Sequence, residues 1–132
     1  MALGGGCFCG AIRYEIGDRP FNKTICHCPT CRGVSGTASV AWCSVAESDY
    51  RIVAGSPARF ASSEHVERTF CSACGTHLTY RNRGLGEIDV TICSLDDPEP
   101  HAPQDHTFAK YRLGWDHCND GLPAYQGLRS EG

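Results

Sequence analysis

Two stretches of the chain alternate apolar and polar residues with the period of a strand that buries one face. Ile12, Tyr14 and Ile16 are interleaved with Arg13 and Glu15, and Ile88, Val90 and Ile92 with Asp89 and Thr91. Shorter apolar or β-branched runs at 38–43, 50–54, 59–62, 66–70, 78–81 and 107–111 predict further strands, set off by Gly, Pro, Ser, Asp or Asn. No segment holds a 3.6-residue period for three turns, and 29–34 admits at most a short helical turn. Residues 96–103, with three prolines, predict an ordered, turn-rich loop, and the residues after Leu128 are expected to fray. The pattern is that of a mainly β protein built from antiparallel strands, read as one domain over 1–132 with its core at about 6–127.

Composition changes this picture in two ways. A chain of 132 residues can bury roughly two thirds of its unfolded surface, yet 15 glycines and 7 prolines give it many turns to hold. A metal staple would supply what those turns lack. The net charge of -3 and pI near 6.0 provide no electrostatic footprint for nucleic acid or an anionic membrane, so small-molecule or protein partners are expected. Residues 1–6 have neither a basic nor an apolar signal region, and no apolar stretch reaches bilayer length, which predicts a cytoplasmic protein.

In a reducing compartment, clustered cysteines point to metal or redox chemistry rather than to disulfides. Seven of the ten cysteines fall into three groups: Cys7 and Cys9; Cys26, Cys28 and Cys31; Cys71 and Cys74. Seven donors do not divide into two four-coordinate sites. Pairing the first group with the third gives four thiolates from distant segments, the pattern of a structural Zn2+ clasp, which can add about 10 to 16 kcal/mol to folding. The middle group then supplies three ligands, as in a catalytic Zn2+ site that leaves a position for substrate and exchanges metal more readily. A fourth protein ligand closing the trio, or a redox-sensitive thiol group, is the alternative. His27 and His77 are candidate replacement ligands or hydrogen-bonded neighbours, and Arg32 is a candidate carboxylate partner or a solvated ion pair. Cys43, Cys93 and Cys118 stand alone and are read as inert.

The order of these motifs resembles the glutathione-dependent formaldehyde-activating family, also called the Gfa or centromere-protein-V domain family. The resemblance runs through Gly6-Cys7-Phe8-Cys9-Gly10 and Tyr14, then Cys26-His27-Cys28-Pro29-Thr30-Cys31-Arg32 and Gly36, to Phe70-Cys71-Ser72-Ala73-Cys74-Gly75-Thr76 and Ser94-Leu95-Asp96. It continues into His106, Trp115 and Asp120-Gly121-Leu122-Pro123. The resemblance implies an Mss4-like β-tent, a structural zinc on Cys7, Cys9, Cys71 and Cys74, and a catalytic zinc on Cys26, Cys28 and Cys31. Its implied reaction joins a small thiol, glutathione, to an aldehyde, formaldehyde, giving S-hydroxymethylglutathione: a carbon–sulfur lyase run in reverse. A non-catalytic zinc-stabilised binding module is the second reading. A thiol redox enzyme with Cys118 of His117-Cys118-Asn119 as nucleophile is the third.

Overall fold

A computed structural model describes residues 2–117 and 119–131. In chain order the strands are β1 (Ala2–Gly6), β2 (Arg13–Gly17), β3 (Phe21–Cys26), β4 (Val40–Ala46), β5 (Tyr50–Ala54), β6 (Ala58–Ser63), β7 (Val66–Phe70), β8 (His77–Asn82), β9 (Glu87–Thr91) and β10 (Asp105–Thr107). One short helix, α1 (Pro29–Ser35), follows β3. The strands form a three-stranded sheet, β1-β2-β5, and a seven-stranded sheet, β10-β3-β4-β9-β8-β7-β6.

The alternation in β2 does what its period implies. Ile12, Tyr14 and Ile16 meet Cys43, Val45, Ile88 and Val90 of the large sheet in one core, so the small sheet covers one face of the large one. Pairing Cys43 with Val90 and Val45 with Ile88 stacks those side chains across neighbouring strands. The Tyr14 hydroxyl, carried into this core, is satisfied by Ser94 Oγ at 2.6 Å. β4 is covered on both sides, because Val40 and Trp42 join a second cluster with Cys26 and Cys31. That explains its near-continuous apolar run.

The second face of the large sheet carries the polar chemistry. Ser44, Asp89, Tyr80, Arg68 and Phe60 are successive cross-strand partners from β4 through β9, β8 and β7 to β6. This row leads from a half-buried carboxylate, Asp89, to a buried guanidinium, Arg68.

The structure departs from the sequence pattern at particular places. The pairing of the strands is antiparallel as expected except at β10, which lies parallel to β3. The long connection after β9, including the short 3-10 turn Glu99–His101, provides the crossover that a parallel pair needs. The run at 107–111 is not a strand: β10 ends at Thr107, Phe108 takes a left-handed φ of 55°, and a 3-10 turn, Ala109–Tyr111, follows. β4 begins and ends later than 38–43, because Thr37 and Ser39 are tied together by a side-chain hydrogen bond at the exit of α1. β1 and β3 went unread. β1 is rich in glycine, which carries no hydrophobic signal, and β3 has an irregular register beside Asn22 at φ 50°. Residues 123–127 bond to the backbone of 106–110; of the residues expected to fray, Arg129 forks onto Asp105 and Gly132 lies outside the described residues.

Candidate metal centres

The outer cysteines lie on two knuckles. Cys7 and Cys9 follow β1, and Cys71 and Cys74 follow β7. Gly10 at φ 82° and Gly75 at φ 81° close the two turns in the left-handed region, where a side chain would be strained. These turns aim backbone donors at sulfur: Ile12 N–H reaches Cys7 Sγ at 3.2 Å and Cys74 N–H reaches Cys71 Sγ at 3.4 Å. The Thr76 hydroxyl, aided by its backbone N–H, holds the Cys74 thiol down to about 5.

All four sulfurs lie within 4.8 Å of one another. A tetrahedral Zn2+ with bonds of about 2.3 Å requires sulfur–sulfur edges of about 3.8 Å. Cys7–Cys9 is 3.6 Å and Cys9–Cys71 is 3.8 Å. The donor set and spacing fit a four-thiolate ion.

The middle cysteines form a second group, again with every sulfur within 4.8 Å of the others. Cys26 ends β3, Cys28 caps α1, and Cys31 projects from its first turn, with Pro29 starting the helix at a position that needs no N–H. Cys28 Sγ accepts Cys31 N–H at 3.3 Å. Contacts with Cys26 and then Cys31 draw the Cys28 thiol down to about 2, while Cys28 pushes Cys26 far up. Three sulfurs this close cannot all shed protons unless a cation shares them, so this donor set also fits a metal ion. Among the described residues, no fourth Cys, His, Asp or Glu donor completes the trio.

Arg68 is the group that sequence reading missed. Only 3% exposed, it sends Nη1 and Nη2 to Cys31 Sγ, both at 3.6 Å, and Nε to Ser62 Oγ at 2.9 Å, with its guanidinium over the Tyr80 ring. A cation so buried calls for acceptors, and those the structure gives it are the Cys31 sulfur and the Ser62 hydroxyl. The signal was available: Arg68 sits on a strand between Val66 and Phe70, where alternation places a basic residue on an otherwise apolar face.

Neither His27 nor His77 is among the residues that make up the two donor groups. His27 turns away from the sulfurs, and its Nε2 meets His106 Nδ1 at 2.8 Å, while His106 Nε2 meets Asp120 Oδ2 at 2.9 Å. Since a carboxylate only accepts, Asp120 places the His106 proton on Nε2 and His27 donates to His106 Nδ1. This chain braces the backbone between Cys26 and Cys28. His77 packs edge-on against Trp42 with both ring nitrogens buried and unpartnered, and burial, aided by Arg68, lowers its pKa to about 4. Arg32 donates from Nη1 to the carbonyl oxygen of Tyr111 at 2.9 Å. Cys43 is buried in the core, Cys93 is exposed, and Cys118 lies outside the described residues.

The family model for glutathione-dependent formaldehyde-activating enzymes matches residues 2–111. The chain belongs to this family. It is 27% identical over 143 residues to a Halomonas elongata protein named "Putative glutathione-dependent formaldehyde-activating enzyme", covering 93% of this chain and 90% of that one. It is 32% identical over 116 residues to an uncharacterized lyase of Schizosaccharomyces pombe, covering 72% of this chain and 80% of the relative. The crystal structure of a Rhodobacter sphaeroides protein shares the fold at a TM-score of 0.61 and 20% identity, over 93% of this chain and 99% of the other. These relationships support a mainly β enzyme with a glutathione-related, lyase-like role, to which two cysteine groups able to hold metal are suited. Among the described residues no helix is long and apolar enough to cross a membrane.

Proposed function

We propose that the protein is a zinc-dependent carbon–sulfur lyase that joins a small thiol such as glutathione to an aldehyde such as formaldehyde, and releases them in reverse. In this reading Cys7, Cys9, Cys71 and Cys74 hold a structural zinc, while Cys26, Cys28 and Cys31 hold the catalytic one. The observation that carries it is the unequal division of sulfur donors into a set of four and a set of three. When bound, Zn2+ supplies positive charge that favours thiolate over thiol at neutral pH.

The chain's own residues do the rest. Trp42, Val40, Tyr80 and Phe108 wall the trio with apolar surface, which limits water around it and strengthens local electrostatics. The Arg68 guanidinium offsets part of the negative charge that gathers when a substrate sulfur approaches Cys31. The substrate sulfur attacks the aldehyde carbon: the C–S bond forms as the carbonyl π bond breaks, and the proton lost by the thiol ends on the new hydroxyl oxygen. No electrons are gained or lost overall. His27, fixed through His106 and Asp120, keeps the Cys26–Cys28 segment in place during either direction.

Exchange between formaldehyde, glutathione and their adduct, followed by NMR with zinc-loaded protein, should run faster than the spontaneous reaction. Absence of any acceleration removes the proposed activity. Cys28→Ser is expected to lower the catalysed rate at least 100-fold while far-UV circular dichroism stays that of the parent. Cys71→Ser should instead unfold the protein, and equal damage to folding by both substitutions contradicts the assigned roles.

A further inference from the structure

Beyond the 3-10 turn Ala109–Tyr111, Arg112, Leu113, Asp116, His117 and Asn119 line a cavity of about 390 Å3. Its volume falls in the range of small-molecule sites, about 300 to 1,000 Å3. The lyase reading uses none of these residues. Behind Asp116 stands His27, 1% exposed, whose Nδ1 has no hydrogen-bond partner and lies 3.8 Å from Asp116 Oδ2. Because Asp120 fixes the His106 proton on Nε2 and His27 gives its own to His106 Nδ1, His27 Nδ1 is left with a lone pair. Two acceptors therefore face each other. Their separation is too long for a hydrogen bond and short enough for one donor group to serve both. An ammonium, with three N–H groups and a positive charge, answers the lone pair and the carboxylate together.

Arg112 brings the opposite chemistry to the same cavity. Its Nε is buried without a partner, and its charge and that of Asp116 are both felt at the His27 ring, with opposite sign. A ligand that is only a cation meets repulsion from this guanidinium, and one that is only an anion meets repulsion from Asp116. What matches is a small molecule carrying both charges close together.

We propose that this cavity is a binding site for a free α-amino acid, its ammonium held between Asp116 and His27 Nδ1 and its carboxylate taken by Arg112. Leu113, His117 and Asn119 supply the remaining surface for the side chain. The site invokes no step at the cysteine trio, so it stands or falls apart from the lyase. An amine without the carboxylate leaves Arg112 Nε unpaired, and an acid without the ammonium leaves His27 Nδ1 unpaired, so selectivity comes from unmatched buried groups as much as from attraction.

The probe is L-alanine, which carries the head group with little side chain, titrated into the 15N-labelled, zinc-loaded full chain and followed by NMR. Isopropylamine and propionate, each lacking one of the two charges, are the comparison. L-Alanine should saturate the protein with a Kd of about 1 mM or tighter, and both analogues should bind at least about tenfold more weakly. In the free protein the 15N signal of His27 Nδ1 should be that of an unprotonated ring nitrogen, and it should move as alanine binds. Asp116→Asn and Arg112→Gln should each weaken alanine at least about tenfold, whereas Arg59→Gln, at an exposed position outside the cavity, should leave its Kd unchanged. No saturable binding of L-alanine, equal affinity for all three compounds, or a protonated His27 Nδ1 in the free protein overturns the site, and none of these three results needs a variant to fold.

Discussion

Asp89 shows how one residue's surroundings set a measurable property. Facing the second layer of the large sheet and accepting from Ser44 Oγ at 2.6 Å, its carboxyl is pushed up by burial to about 6. Between pH 4 and 6 the folded state therefore holds a proton that the unfolded chain has released. Stability falls as pH rises through that window, and the ionised form is the costly one above it. Asp89→Asn is expected to exceed the parent in stability by about 2 kcal/mol at pH 7.5 and to lose that advantage near pH 4. Paired urea unfolding curves at the two pH values test this, since the metal contribution cancels in each difference. Among single residues, the cysteines were legible because spacing alone marks them. Arg68 was not, because its meaning depends on Cys31, a residue 37 positions away that only the sheet brings near.

At the scale of elements, two glycines expose opposite physical causes. Gly55, at the end of β5, has φ +79°, and a side chain there would run into the Ala11 carbonyl, just after the Cys7–Cys9 knuckle. Gly55→Ala should cost at least about 2 kcal/mol, through left-handed strain and the push on that knuckle. Gly33 sits in α1 with open space where a Cβ would go. Gly33→Ala should stabilise by about 0.5 to 1 kcal/mol. Thermal unfolding of the two variants reads both signs, and destabilisation by Gly33→Ala would contradict the exposed helical position. Strands with clean alternation, β2 and β9, were readable for the same kind of local reason. β1 escaped because Gly5 answers a distant demand: a Cβ there would strike the Tyr14 ring and approach the Ser94 carbonyl oxygen at 2.7 Å. β10 escaped because its partner, β3, precedes it by about eighty residues and lies parallel to it.

For the whole molecule, the proposed structural ion would tie the loop after β1 to the loop after β7, joining the small sheet to the large one. A three-donor site should release its metal before a four-donor site. Chelator titration with a zinc-sensitive dye is expected to show two phases, the first leaving far-UV circular dichroism intact and the second coinciding with loss of fold. A single phase in which metal and fold vanish together would contradict the division of labour. The same arrangement explains why the site sits at the seam between α1 and the large sheet. The core under the small sheet is built mainly of apolar side chains, and the second cluster holds the trio's sulfurs, with the guanidinium and a cavity lined by Phe60, Phe70 and His77 beside it.

Spacing by itself determined the class of chemistry here: sulfur donors two or three residues apart can reach a common ion whatever the rest of the chain does, and strict alternation commits a strand to one buried face. Tertiary structure alone decided which groups share a place, that Arg68 rather than a nearby histidine meets the trio, and that a cavity opens beside it. Those outcomes follow from strand order and register. These are set by the packing of residues far apart in the chain, and no short stretch of sequence encodes them.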